Sequence, residues 1–242
     1  MAMSFSIANP DFDADLNDIA AMWEDGVRIF KFKTGFAGHR FDLMRCAKLR
    51  KIYGDEVDIR IDYNQGLPAY DAVRCIRDIE AFRPTFIEQP VKMHEREALA
   101  HITHVIDTPI MADESVFDPK GALYGVQNRI ADIFSLKIMK SGGIRRALEV
   151  AAIARAGGIE VYGGCMFETG LAHAAGAHLM AAVPDLLLQC EFYMANYYAQ
   201  EDILTQPFPV RNGRVHVPTG PGLGVEVDPA MLAKYAVEDP LL

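Results

Sequence analysis

Lys33, Asp62, Glu88, Asp113 and Lys137 recur through this chain at nearly even intervals of 29, 26, 25 and 24 residues. Each lies at or near the end of a short β-rich run: Val27–Gly35, Val57–Asn64, Thr85–Glu88, Pro109–Ser115 and Ile133–Gly143. Three carboxylates on adjacent runs repel one another unless a cation joins them. An all-oxygen donor set with open positions suits Mg²⁺, with Mn²⁺ as the alternative ion. A single Asp or Glu of this kind can also be a helix N-cap or a solvated loop charge; three in step favour a metal site. Lys31 shares a strand face with Lys33 by the period of two. A lysine acting as a base must lose its charge near neutral pH, and a neighbouring cation or burial lowers its pKa. Lys31 beside Lys33 and a divalent ion would supply that cause. The plainer alternative is that one of these lysines only neutralises the acids.

The intervals fit one strand, one helix and two loops per step, which is the arithmetic of a β/α barrel. Eight strands are expected, at Ser4–Ala8, Val27–Lys33, Val57–Asn64, Thr85–Glu88, Ile110–Asp113, Ile133–Ile138, Glu160–Tyr162 and Leu186–Cys190. Helical spacing follows each of the first seven. In such a ring Asp62, Glu88 and Asp113 sit on one arc, and the strands of Lys33 and Lys137 face each other across it. Asn64 falls on the face of Asp62 if the strand continues, or forms a turn. Glu168 and Glu191 end the last two strands, as pocket residues or as capping acids. Lys140 has the opposite parity to Lys137 and reads as a loop lysine. Residues 1–190 form the barrel. Residues 191–242 form a Pro- and Gly-rich tail with a hairpin at Arg211-Asn-Gly-Arg214 and a helix near Pro229–Tyr235.

The formal net charge of −9 argues against a nucleic-acid partner. No apolar run approaches the ~18 residues of a membrane span. The four cysteines, Cys46, Cys75, Cys165 and Cys190, have neither metal nor disulfide spacing and read as free thiols in a cytoplasmic protein.

The segments KFKTG, IDYNQG, IEQP, MADES, SLKIMKSGG and YGGCMFETG, in this order, resemble those of the enolase superfamily in its muconate-lactonizing-enzyme (muconate cycloisomerase) subgroup, over about residues 3–240. The resemblance implies a TIM-type (β/α)7β-like barrel, an isomerase or lyase. It implies Asp62, Glu88 and Asp113 as ligands of Mg²⁺ and Lys33 and Lys137 as the acid/base pair. It implies abstraction of a proton α to a carboxylate, with the enediolate stabilised as for other members of that superfamily. Members carry an N-terminal capping domain before the barrel. The chain is therefore expected to be a barrel without its cap, whose tail normally packs on that domain. The apolar tail residues, Leu204 to Tyr235, would otherwise stand bare, so a homo-oligomer or a separate chain supplying the cap is expected. Three readings stay open: a cycloisomerase or racemase of small carboxylates; an epimerase or dehydratase of proline-like or dipeptide substrates, with Glu191 holding an ammonium; and a catalytically silent scaffold.

Overall fold

Runs that alternate apolar and charged residues, such as Ile29-Phe-Lys-Phe-Lys33 and Asp58-Ile-Arg-Ile-Asp62, present one face to covering helices and one to a central axis. The computed structural model, which describes residues 1–237, makes each a strand of one parallel sheet. In chain order the repeating units are β1 (Ser4–Ile7), α1 (Phe12–Glu24), β2 (Ile29–Lys33), α2 (His39–Tyr53), β3 (Asp58–Asp62), α3 (Ala69–Glu80), β4 (Ile87–Glu88) and α4 (Arg96–Val105). They continue with β5 (Ile110–Ala112), α5 (Pro119–Asn128), β6 (Ile133–Leu136), a short α6 (Ile138–Ser141), α7 (Ile144–Ala156), β7 (Glu160–Gly163) and α8 (Gly170–Ala181). The strands pair in sequence order, β1 to β7. Local signals set the boundaries: Asp118 accepts from the Gly121 N–H at the start of α5, with Pro119 in its first turn, and Gly54 at φ 58° ends α2.

The eighth stave is the largest departure from the expected ring. Leu186–Cys190 does not become a strand, because Asp185 and Gln189 both take left-handed backbone angles that interrupt an extended run. One residue closes the ring instead. Cys190 bridges Met3 on one side and Gly163 on the other, with the Ser4 N–H donating to the Cys190 carbonyl at 2.9 Å.

Two layers of side chains fill the axis, separated by the strand period. Arg60, Phe86, Met111, Ile133 and Tyr162 make the lower one, all nearly fully buried. Asp62, Glu88, Asp113 and Lys137 each stand two or four residues further along the same strands, toward the C-terminal ends. The register sets Lys33 level with Asp62, and Asp62 level with Glu88. Outside the sheet, Phe30, Ile59, Ile87 and Phe134 pack on the buried stripes of helices such as α3, with Ile76 and Ile79.

The tail carries α9 (Met194–Tyr197), the hairpin β8 (Val210–Arg211) and β9 (Arg214–Val215), and α10 (Pro229–Tyr235). The hairpin turns at Asn212 and Gly213, both at positive φ, and docks on the chain's own start. The Met3 N–H donates to the Gly213 carbonyl, and the Val215 N–H to the Met1 carbonyl. A Cβ on Gly213 would stand 2.5 Å from the backbone of Gly26, so only glycine fits there. This docking, with Leu204 and Phe208 seated against Gly170 and His173 of α8, corrects the expectation of a bare apolar tail. Leu204, Phe208 and Val215 are buried, Val210, Val217, Leu223, Val225 and Val227 are half-buried, and Leu232 and Tyr235 remain about half exposed. All four cysteines are free and buried. Among the described residues no helix is long and apolar enough to cross a membrane.

Candidate active site

The barrel brings together Lys33, Asp62, Glu88, Asp113 and Lys137, as their spacing implied. The ammonium of Lys31 lies 2.7 Å from Glu88 Oε2, 2.7 Å from Glu191 Oε2 and 3.3 Å from Asp62 Oδ2. Lys33 donates to Asp62 Oδ2 at 2.6 Å. Across the ring, Lys137 donates to Asp113 Oδ2 at 2.6 Å, and its ammonium lies 3.7 Å from the sulfur of Met166. Lys33 keeps 29 % of its side chain exposed, whereas Lys31 keeps 1 % and Lys137 6 %. Of the two β2 lysines, then, only Lys33 reaches open space.

Sequence reading misplaced Lys140. It donates to Asp113 Oδ1 at 2.7 Å and to the carbonyls of Asp113 and Ser135. The strand stops at Leu136, so the period-of-two argument does not apply. The helical turn α6 puts positions three apart on one side, which carries Lys140 back beside Lys137. Gln89 was also missed. It is fully buried, accepts from the N–H groups of Asp113 and Ser115, and donates to the Val91 carbonyl and to Ser115 Oγ, which fixes the loop that presents Asp113. Its place in the IEQP segment, beside Glu88, was the available signal.

Charge is unevenly shared among the acids. Burial pushes Asp62 upward, but Lys33 and Lys31 outweigh it and hold the carboxyl well below the usual range. Asp113 follows the same pattern, with Lys140 and Lys137 overcoming burial. Glu88 goes the other way: burial and then the Asp62 charge push it up to about 8. Its Oε1 is buried without a hydrogen-bond partner. Burial alone would lower Lys31, yet Glu191, Glu88 and Asp62 together raise it well above its ordinary value. Among these acids, and without a metal ion, Lys31 is held in its charged form. Burial works to lower Lys137 as well, and Asp113 and Glu88 more than compensate.

A divalent ion fits this donor set. Three carboxylates from neighbouring strands are present, and Glu88, whose Oε2 pairs with Lys31, still offers a buried Oε1 that nothing satisfies, a costly arrangement unless a cation joins it.

The remaining sequence candidates divide. Asn64 is exposed at φ 42° and contributes its backbone N–H to Asp62 Oδ1 at 2.9 Å, so it is the turn residue rather than a side-chain donor. Glu168 accepts from the Met166 N–H, and its carboxylate lies within 4.8 Å of ligand atoms on Cys165 and His173. Glu191 is buried. It spends one oxygen on the Cys165 N–H and the other on Lys31 and the Tyr162 hydroxyl. That leaves little capacity for a substrate ammonium.

Lys33 opens into a cavity of about 350 Å³ at the C-terminal end of β1. Its walls include Asp15 and Asp18 of α1, Phe167 of the loop after β7, and Met194 and Tyr198 near α9.

Residues 15–231 match the family described as Enolase C-terminal domain-like. The chain is 32% identical over 227 residues to a muconate cycloisomerase 1-2 of Acinetobacter lwoffii, covering 93% of this chain and 59% of that protein. It is 34% identical over 203 residues to an L-Ala-D/L-Glu epimerase of Clostridium acetobutylicum, covering 83% and 56%. Among solved structures, a muconate cycloisomerase from Azorhizobium caulinodans superposes with a TM-score of 0.88 at 44% identity, over 97% of this chain and 66% of that one. The chain therefore spans less than two thirds of the length of these relatives.

Proposed function

Because the chain belongs to the Enolase C-terminal domain-like family, we propose that it is the catalytic barrel of a Mg²⁺-dependent isomerase that removes a proton α to a carboxylate, in the manner of muconate cycloisomerases. The observation that supports this most is the pair Lys33 and Lys137, each bonded to its own acid on opposite sides of the barrel mouth. Asp62, Glu88 and Asp113 would hold the ion. When bound, it supplies positive charge that lowers the acidity barrier of a proton beside a carboxylate.

The chain's own residues do the rest. Four lysines (Lys31, Lys33, Lys137 and Lys140) face four acids (Asp62, Glu88, Asp113 and Glu191), so the formal charges are equal in number before ion and substrate arrive. Lys31, locked among three acids, opposes the negative charge that develops on the substrate carboxylate. In its neutral form Lys33 takes the α-proton from one face, and the C–H electron pair passes into the enediolate. Lys137 returns or takes a proton on the other face. Lys140 and Gln89 hold Asp113 in place and touch no reacting atom. In the same reading, residues 191–242 meet a capping domain through the exposed side of α10, and that cover excludes water from the site.

The test is exchange of α-protons with D₂O, followed by NMR across muconates and amino-acid derivatives, with Mg²⁺ or with chelator. Mg²⁺-dependent exchange is expected. Its absence from every compound, with Mg²⁺ bound, would favour a catalytically silent barrel.

A further inference from the structure

The cavity beside Lys33 has a charge that its neighbours do not explain. Asp15 is 2 % exposed, and its carboxylate is only half used. One oxygen accepts from the Asn9 N–H at 3.2 Å, while Oδ2 is buried without any partner. One helical turn away, Asp18 is exposed at the rim of the same cavity. The only cation among the lining residues is Lys33, and it is already paired with Asp62 at 2.6 Å. Burial pushes the Asp15 carboxyl up to about 6, and Arg45 favours its charge without pairing it, so above that pH the charge left unpaired in the cavity is negative.

Another part of the lining is aromatic. Phe167 and Tyr198 meet edge to face at 6.5 Å between ring centres. Phe167 is 85 % exposed and Tyr198 45 %, so their surfaces are open to a ligand, with Met194 beside them. The Tyr198 hydroxyl donates to the Ser6 carbonyl, which anchors that ring. Ring faces attract cations through their quadrupole, and a buried carboxylate oxygen lacking a donor does so more strongly. A second carboxylate in this cavity would meet Asp15 and Asp18 instead, and be repelled.

Resting on the reading of the site as an α-proton abstraction centre, we propose that its substrate carries a cationic nitrogen, remote from the reacting carboxylate, which sits between Asp15, Asp18 and the Phe167–Tyr198 pair. The substrate class is then a zwitterionic carboxylate rather than a dicarboxylate. The nitrogen is bound by α1 and the aromatic wall, not by Glu191, whose oxygens are spent on Lys31, Tyr162 and the Cys165 N–H.

Three carboxylates of matched length separate the possibilities: δ-aminovalerate, which ends in ammonium; hexanoate, which ends in methyl; and adipate, which ends in a second carboxylate. Calorimetry on the full chain with saturating Mg²⁺ is expected to rank δ-aminovalerate about tenfold or more ahead of the other two, as for one charge-assisted contact. Asp15→Asn keeps the acceptor for the Asn9 N–H. Asp18→Asn and Phe167→Leu change exposed positions that do not threaten folding. Each should shrink the preference for δ-aminovalerate over hexanoate. Adipate or hexanoate binding as tightly as δ-aminovalerate would overturn the proposal, as would a preference that survives all three substitutions. Exchange of α-protons with D₂O in the same series reports separately on the reaction. Exchange without the ranking defeats this inference alone, and the ranking without exchange from any member defeats the proton-abstraction reading.

Discussion

Two charged layers lie one strand period apart inside this barrel, and they are built on different terms. In the lower layer Arg60 is buried between Phe86 and Tyr162, 5.0 Å and 5.3 Å from their ring centres. It also bonds the Asp58 carboxylate and the Leu188 carbonyl at 2.8 Å. One cation has one acid, two rings and a carbonyl, and Phe86, Tyr162 and Met111 seal it. In the upper layer four lysines and four acids crowd together, several carboxylates share one ammonium, and Glu88 Oε1 is left without a partner. The first arrangement is closed and structural. The second is balanced in total but poorly shared locally, which is the condition in which a bound ion or substrate gains most.

That contrast is sharpest in its largest consequence. Lys33→Ala and Lys137→Ala should each lower turnover by roughly 10²–10⁴-fold, the range for loss of a positioned acid or base. Lys33→Ala should leave the melting temperature near that of the parent, as calorimetric scans would record, because Lys33 is partly exposed and Asp62 keeps Lys31; Lys137→Ala leaves buried Asp113 with Lys140 alone and should lower it modestly. Retained turnover in Lys137→Ala would reduce that lysine to a charge-balancing role. Arg60→Met should do the opposite. Removing one partner from a buried pair costs on the order of 3 kcal/mol, so chemical denaturation should show a lower midpoint, while any enzyme that remains folded keeps its Mg²⁺ affinity.

A smaller test uses pH. His173 of α8 is fully buried, with neither ring nitrogen hydrogen-bonded, and burial lowers its pKa from 6.5 to about 4. The unfolded chain binds its proton first as pH falls. This group's contribution is therefore constant above about pH 6.5 and is lost progressively toward pH 4, by up to about 3 kcal/mol. Urea unfolding at stepped pH should show that slope in the parent and less of it in His173→Leu. Smallest is Glu88→Gln, which should weaken Mg²⁺ binding by roughly 1–3 kcal/mol in calorimetry. Unchanged affinity would move the ion away from Glu88 and dissolve the distinction between the two layers.

Much of this was legible in the residues. The even spacing of Lys33, Asp62, Glu88, Asp113 and Lys137 is a property of the repeating unit: one strand and one helix consume about the same length of chain each time, and the strand period fixes which side chains face inward. Turn chemistry was equally local. The Asn212-Gly213 turn appears where expected because left-handed backbone is a demand on single residues. The departures came where the path of the chain depended on distant contacts. The run Leu186–Cys190 looks like a strand, yet Asp185 and Gln189 adopt left-handed angles and Cys190 alone joins Met3 and Gly163. Lys140 changed role because β6 ends early and α6 turns back over Asp113. The tail's apolar residues found cover on distant parts of the same chain, Leu204 and Phe208 against the start of α8 and the Val215 hairpin against the first residues. Asp15 gave no signal at all: an acid in the first turn of a helix is ordinary. Burial of its free oxygen, and the cavity Asp15 shares with Lys33 and Phe167, depend on distant segments meeting at the mouth of the barrel. Periodicity and turn preference are short-range, so the sequence by itself determined the strands, the inward faces and the acids and lysines they carry. Which charges pair, which oxygen is left over and which walls enclose it are long-range matters of packing, and only the tertiary structure decided them.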